Sequence, residues 1–210
     1  MTLPDPPVLV ITDRRMATLP LRDVIDGALK GGCRWVLLRE PDLGGDALVA
    51  LGLELVPLCT RHGAVLSVSA DVDTAAVLGA GGVHLPQRLA IGEMVRQARA
   101  RLGDTALVGV SCHSLAEAEA AERLGADYIT LSPVFLTDSK PGYGPALGIG
   151  PLQAMIAKLR IPALGLAGIS TGNAGKVRGA GASGIAVMGE VMRATDPARA
   201  TSKLIDAWRL

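Results

Sequence analysis

Three side chains that can bind a phosphate group lie close together in one polar segment of this chain. The segment follows a short apolar run that begins at Tyr128, and it carries Thr137, Ser139 and Lys140. Two hydroxyls and an ammonium group offer hydrogen bonds and positive charge to phosphate oxygens. The same residues also suit an ordinary surface loop, since lysine is mostly exposed in proteins. Their function therefore depends on the elements that position them.

Composition excludes several classes of partner. The chain of 210 residues has 21 Lys and Arg against 20 Asp and Glu, so no overall charge favours nucleic acid or an anionic membrane. Aromatic residues make up only 2%, which disfavours base stacking.

The chain contains no uninterrupted apolar run of about 18 residues, the length that favours a membrane span. No basic segment precedes an apolar run at the N-terminus, so a cytoplasmic protein is expected. The three cysteines lack metal-site spacing.

Eight short runs rich in β-forming residues alternate with helical segments along the chain, at intervals of about 20 to 30 residues. The best helical segment runs from Leu115 to Leu124, with Ser114 as N-cap and Glu117 completing a capping box. The predicted strands are Val8–Thr12, Trp35–Arg39, Val65–Val68, Gly82–Leu85, Leu107–Ser111, Tyr128–Leu131, Ala163–Ala167 and Gly184–Val187.

This alternation predicts an α/β protein with a single (β/α)8 TIM barrel domain over residues 1–210. A doubly wound open sheet is the structural alternative. Against it, the first strand is followed by ITDRR and not by a glycine-rich nucleotide-binding turn. In a barrel the active site lies at the carboxyl ends of the strands. That rule gives the candidate positions Asp13, Arg39, Ser69, Pro86, Gln87, Ser111, Cys112, Ser132, Gly168, Met188 and Gly189.

When these strand ends are aligned, the whole chain resembles the thiamine phosphate synthase and TenI-like superfamily. The matching segments are VITD at 10–13, LLRE at 37–40, GGVHLPQ at 81–87, VGVSCHSLAEA at 108–118, GADYITLSPVFLTDSK at 125–140, LAGI at 166–169 and GASGIAVMG at 181–189. The resemblance implies a (β/α)8 fold and a part in thiamine biosynthesis. Synthases join hydroxymethylpyrimidine diphosphate to a phosphorylated thiazole, with Mg2+ helping diphosphate leave. TenI-like tautomerases aromatise a thiazole carboxylate phosphate by proton transfer.

The resemblance also implies which residues bind substrate. The phosphate of the thiazole would lie on backbone amides at Gly168, Met188 and Gly189; alternatively, these glycines only permit tight turns. Arg39 would bind a diphosphate or a carboxylate through its planar guanidinium, unless it pairs with the adjacent Glu40 or with a neighbour on the rim. Further substrate contacts would come from Ser111, Thr137, Ser139 and Lys140.

Several positions depart from the synthase pattern. The two acids expected to hold Mg2+ are replaced by Ala70 and Leu89, and two pyrimidine contacts are replaced by Leu37 and Pro41. We therefore expect no metal or cofactor, with Mg2+ required only if the chain is a synthase. Either Asp71 or Asp73 could replace the lost ligand, although Asp71 is better explained as a helix N-cap.

The tautomerase pattern is also incomplete, because its catalytic histidine is replaced by Pro133. The candidates for catalysis are Arg39 and Lys140, with His113 and Cys112 as weaker ones. A structural role near a helix start explains His113 better than catalysis does, and Cys112 suits a buried position.

The first functional hypothesis is a protein that binds a phosphorylated thiazole, either as a TenI-like tautomerase or as a diverged synthase paralogue. The alternatives are an active thiamine phosphate synthase and a non-catalytic phosphate-binding or regulatory protein. An enzyme is favoured over a binding protein. The expected partners are a phosphorylated thiazole and possibly a pyrimidine diphosphate, with no nucleic acid and no membrane. The sequence does not indicate an oligomeric state.

Overall fold

Eight parallel strands form a closed barrel in which each strand pairs with the next and β8 pairs with β1. The structure is a computed structural model that describes residues 2–89, 92–137 and 144–210. The strands are β1 (Val8–Ile11), β2 (Trp35–Leu38), β3 (Val65–Ser69), β4 (Gly82–Leu85), β5 (Leu107–Cys112), β6 (Tyr128–Leu131), β7 (Ala163–Leu166) and β8 (Gly184–Val187). All eight predicted strands are confirmed, with ends that differ by one residue at most. The predicted TIM barrel is confirmed with them.

Helices cover the outside of the barrel between successive strands. They are α1 (Leu21–Lys30), α2 (Gly45–Arg61), α3 (Val72–Val77), α4 (Gly92–Leu102), α5 (Leu115–Arg123), α6 (Ile149–Ile156), α7 (Ala174–Gly179), α8 (Gly189–Met192) and α9 (Pro197–Arg209). A 3-10 turn, Gln87–Leu89, follows β4. Within the described ranges, no helix is long and apolar enough to cross a membrane.

Most strands carry apolar residues on both sides, because one side faces the barrel interior and the other faces the layer beneath the helices. Val36 and Leu38 of β2 point outward into the layer between strands and helices. Trp35 and Leu37 point inward and fill the barrel interior. A strand buried on both faces needs apolar residues at successive positions, which explains the continuous apolar runs of the sequence.

The centre of the barrel holds two large rings. The centroids of Trp35 and Tyr128 are 4.7 Å apart in an edge-to-face arrangement, and both side chains are fully buried. Gly109 makes room for the phenol, because a Cβ at that position would lie 2.1 Å from the Tyr128 ring. A glycine in β5 is thus required by the ring that β6 places in the interior.

The predicted N-cap of α5 is confirmed. The hydroxyl of Ser114 accepts a hydrogen bond from the Glu117 backbone N–H at 3.3 Å. The carboxylate of Glu117 reaches back past the cap and accepts from the His113 backbone N–H at 2.6 Å. The cap therefore fixes the chain between the end of β5 and the first turn of α5.

Candidate functional site

A cavity of about 760 Å3 lies at the carboxyl ends of the strands. This is the end at which (β/α)8 barrels carry their active sites. The predicted strand-end residues, apart from one cysteine, line this single cavity together with Thr137. They are Asp13, Arg39, Ser69, Pro86, Gln87, Ser111, Ser132, Gly168, Met188 and Gly189.

The Arg39 guanidinium faces the cavity and has no ion pair within the described part of the chain. Its backbone is fixed instead, because the Arg39 N–H donates to the Thr12 hydroxyl at 2.8 Å. The alternative pairing of Arg39 with Glu40 is wrong. Glu40 is buried and accepts from the Arg14 guanidinium at 3.0 Å and from the Arg14 backbone N–H at 3.1 Å. Arg39 is therefore available to bind an anion.

A second network holds Arg14 on the rim of the barrel. Asp42 accepts from the Arg14 guanidinium at 2.7 and 2.5 Å. This pairing keeps the pKa of Asp42 well below its usual range, because the guanidinium stabilises the carboxylate. Arg14 is thus neutralised by Glu40 and Asp42, which leaves Arg39 as the guanidinium of this strand end that faces the cavity.

At the end of β5 the alternation of side chains places Ser111 in the cavity and Cys112 outside it. Cys112 is fully buried in the layer between the strands and the helices. Burial raises the pKa of its thiol to about 12, so the group stays protonated. The assignment of Cys112 as a candidate for catalysis is therefore wrong, because its side chain points away from the mouth.

His113 lies on the rim of the cavity. Its Nδ1 is 3.0 Å from the backbone oxygen of Ser132 and 3.3 Å from the Ser132 hydroxyl. These contacts fix the ring across the mouth between the ends of β5 and β6. The histidine is at the same time part of the cavity wall and held by the backbone, so its role in catalysis stays a prediction.

The segment after β6 contributes Thr137 to the cavity wall. Ser139 and Lys140, the other two predicted phosphate contacts of that segment, lie outside the described residues. Their role in binding substrate stays a prediction from the sequence.

The loops after β7 and β8 bring backbone close to the cavity. Gly168 has a φ of +64°, and a Cβ there would lie 2.4 Å from the backbone oxygen of Leu136. This glycine is required by the turn itself. A Cβ at Gly189 would instead lie 2.4 Å from a guanidinium nitrogen of Arg193. The absence of a side chain at 189 thus lets a positive group lie against the backbone at the start of α8.

The cavity contains residues that sequence reasoning did not select. They are His84, Arg88, Ser170, Glu190 and Arg193. His84 could have been found from strand alternation, because it lies two residues after Gly82 in β4 and so points inward with it. Arg88 lies in the 3-10 turn after β4 and Arg193 directly follows α8, and strand alternation gives no prediction for either position.

The donors available for Mg2+ do not match the site that the resemblance implies. Ser69 lines the cavity, but Ala70 and Leu89, which stand at the positions of the two expected acids, have no side-chain atom that can bind a metal. Asp71 does not replace them, because its carboxylate accepts from the Thr74 backbone N–H and hydroxyl, both at 2.8 Å. Asp73 pairs with Arg101 on the surface. Within residues 2–89, 92–137 and 144–210, no three His, Cys, Asp or Glu side chains are grouped as metal ligands.

Asp71 is thus the N-cap of α3, as predicted, and its replacement tests this role. We expect Asp71→Ala to lower the free energy of unfolding by about 1 kcal/mol, whereas Asp71→Ser keeps a capping oxygen and loses only a few tenths. Urea denaturation of both variants measures the difference. Equal losses in both variants would contradict a capping role and would point to a need for the carboxylate itself.

Comparison with known proteins gives a consistent result. A family model described as thiamine monophosphate synthase matches residues 8–191. The thiamine-phosphate synthase of Roseiflexus castenholzii is 40% identical over 200 residues, covering 95% of this chain and 86% of the relative. A putative thiamine-phosphate synthase of Geobacter sulfurreducens is 41% identical over 189 residues, covering 90% and 87%. The solved thiamine phosphate pyrophosphorylase of Pyrococcus furiosus superposes with a TM-score of 0.84 at 31% identity, covering 96% and 95%.

Proposed function

We infer the function of this chain from its family: it belongs to the thiamine monophosphate synthase family, whose model matches it from residue 8 to residue 191. The proposed reaction joins hydroxymethylpyrimidine diphosphate to a phosphorylated thiazole and releases diphosphate. Relatives at about 40% identity that are named as synthases carry this proposal. They favour the alternative of an active synthase over the first hypothesis from the sequence, in which the protein is a tautomerase. The proline at position 133 supports this preference, because proline has no group that could move a proton.

The reaction requires one bond to break and one to form. The bond from the pyrimidine methylene carbon to the diphosphate oxygen breaks, and the oxygen keeps the electron pair. The thiazole nitrogen then donates its lone pair to the methylene carbon, which gives the thiazolium product. Negative charge builds up on the leaving diphosphate, so the protein accelerates the reaction by placing donors and positive charge around that group.

Arg39 is the residue that we assign to the diphosphate. Its guanidinium faces the cavity, has no ion pair in the described part of the chain, and can bind two oxygens at once. Arg88 lines the same cavity and adds a second guanidinium. Ser111 adds a hydroxyl from the end of β5, and we assign Lys140 to the same anion on the sequence pattern alone.

We place the phosphate of the thiazole at the ends of β7 and β8. Gly168 and Gly189 bring backbone to the cavity there, and Arg193 lies against Gly189. Barrels commonly bind phosphate in the loops after these two strands. Both anionic groups would then bind in one cavity at the carboxyl ends of the strands.

The loss of two acids predicts weak retention of Mg2+ by the protein. Restoring both acids, as Ala70→Asp with Leu89→Asp, is expected to lower the Mg2+ concentration for half-maximal rate by about tenfold, because hard cations prefer carboxylates. The backbone at position 70 has a φ of +67°, a conformation that aspartate tolerates better than most residues. Initial rates across a Mg2+ series measure the effect. The control replaces both positions with Asn; the same Mg2+ dependence in the Asp and Asn variants would contradict the prediction.

Supplying each substrate set separately tests the proposed function. The purified protein is incubated with Mg2+ and either pyrimidine diphosphate and thiazole phosphate, or the thiazole carboxylate phosphate tautomer alone. We expect thiamine phosphate from the first mixture and only uncatalysed aromatisation in the second. Catalysed aromatisation without thiamine phosphate would overturn the proposal in favour of the tautomerase.

A further inference from the structure

A chain of hydrogen bonds leads from the barrel interior to the floor of the cavity. His84 is 5% exposed and lies at its centre. Its Nδ1 is 3.0 Å from the Tyr128 hydroxyl oxygen, and its Nε2 is 2.9 Å from the Ser111 hydroxyl oxygen. The Thr130 hydroxyl oxygen lies 3.4 Å from the same Nε2. One histidine thus connects a fully buried phenol to a serine in the cavity wall.

The phenol decides which nitrogen of His84 carries the proton. Tyr128 is fully buried, and burial raises the pKa of its hydroxyl far above the physiological range, so it remains an O–H donor. Within the described residues, the one acceptor for this O–H is the Nδ1 of His84. If Nδ1 carried the proton, the phenol O–H would be buried without an acceptor, at a cost of roughly 1–3 kcal/mol. Nδ1 therefore accepts, and the proton is on Nε2.

This tautomer determines the orientation of the serine hydroxyl. The Nε2–H of His84 donates to the oxygen of Ser111, so the hydrogen of that hydroxyl cannot point back to the ring. The cavity is the remaining direction, and Ser111 lines it. The hydroxyl is then a hydrogen-bond donor to whatever oxygen lies there, which suits an anion.

The ring keeps this arrangement over a wide pH range. Burial, with a smaller effect of the positive charge of Arg39, lowers the pKa of His84 to about 4. The imidazole is therefore neutral near pH 7, and Ser111 is held as a donor without being activated as a nucleophile.

We propose that His84 is a positioning residue: Tyr128 holds it as the Nε2–H tautomer, and it orients the Ser111 hydroxyl to donate to an anionic oxygen of the ligand. The inference depends on the proposed function only for the identity of that ligand. The network itself stands on the contacts among β4, β5 and β6.

Nitrogen NMR of the wild-type protein tests the tautomer directly. The chain has three histidines, and His84→Gln identifies the signals of His84 by their disappearance. We expect an Nε2–H ring whose nitrogen shifts stay constant from about pH 8 to about pH 5. A protonated Nδ1, or titration near the usual pKa of about 6.5, would overturn the proposal. Because this spectrum needs no substrate, an inactive protein would refute the proposed function without affecting this result.

A double-mutant cycle tests the coupling to the ligand, with inorganic diphosphate as the probe. Tyr128→Phe removes only the hydroxyl, and Ser111→Ala removes the proposed donor. We expect each single variant to weaken diphosphate binding by about three- to tenfold in calorimetry, with the double variant no weaker than Ser111→Ala alone. Losses that add independently would show that the phenol does not act through Ser111 and would overturn the proposal.

Discussion

Replacing Arg39 with methionine is expected to lower kcat/KM for thiamine phosphate formation by about a thousandfold, equivalent to about 4 kcal/mol. The reason is geometric and electrostatic. The Arg39 guanidinium faces the cavity, and its neighbour Glu40 is already paired with Arg14, so its charge remains available to a leaving diphosphate. Steady-state kinetics with both substrates measure the loss, and circular dichroism checks that the variant is folded.

Two further variants make the Arg39 result specific. Arg39→Lys keeps the charge and loses the planar fork, so we expect a loss of about ten- to a hundredfold. Arg61→Met is the matched control, because Arg61 lies at the end of α2, where it pairs with Asp26 on the surface. Its kcat/KM should stay within about twofold of wild type. An Arg39→Met enzyme with near wild-type kcat/KM would contradict the assignment of Arg39 to the diphosphate.

The second large expected effect is a loss of stability in acid caused by His84. Its folded-state pKa of about 4 lies below the usual value of 6.5, so the unfolded chain takes up the proton first as the pH falls. The contribution of the neutral His84 ring to stability is therefore complete above about pH 6.5. It is lost towards pH 4, which lowers the free energy of unfolding by roughly 3 kcal/mol. Among the described residues, the charged and titratable groups that face the ring are Arg39 on the cavity side and Tyr128 in the interior.

The His84→Gln variant isolates this contribution. Glutamine does not titrate, so the free energy of unfolding of the wild-type protein should fall more steeply than that of the variant between about pH 6.5 and pH 4. Urea unfolding across this range gives both curves, and contributions from other groups cancel in their difference. Parallel curves would show that His84 is not held neutral by burial.

The fold could be predicted from the sequence because its determinants are local and repeated. Strands buried on both faces produce short apolar runs, and β1 and β2 place apolar side chains both inside the barrel and in the layer beneath the helices. The direction of side chains is also a local property. Strand alternation explains why Ser111 reaches the cavity and Cys112 does not, although both stand at the predicted strand end.

Other features of the site depend on contacts between distant segments. Glu40 pairs with Arg14, which is 26 residues earlier in the chain. The residues next to Arg39 in the sequence therefore do not show that its guanidinium is left without an ion pair among the described residues. His84 has its partners on β5 and β6, and the phenol reaches it only because Gly109 leaves space for the ring. Tertiary packing determines which of these side chains pair, and a local sequence pattern does not predict it.

The measurement that tests the central claim most directly is the joint appearance of thiamine phosphate and diphosphate. Purified protein is mixed with a large excess of pyrimidine diphosphate and thiazole phosphate, with Mg2+ supplied, and both products are quantified over time. We predict that the two products form in equal amounts over many turnovers and that Arg39→Met greatly slows both. Diphosphate release without thiamine phosphate, or neither product under any Mg2+ concentration, would contradict the proposal that this barrel is a thiamine phosphate synthase.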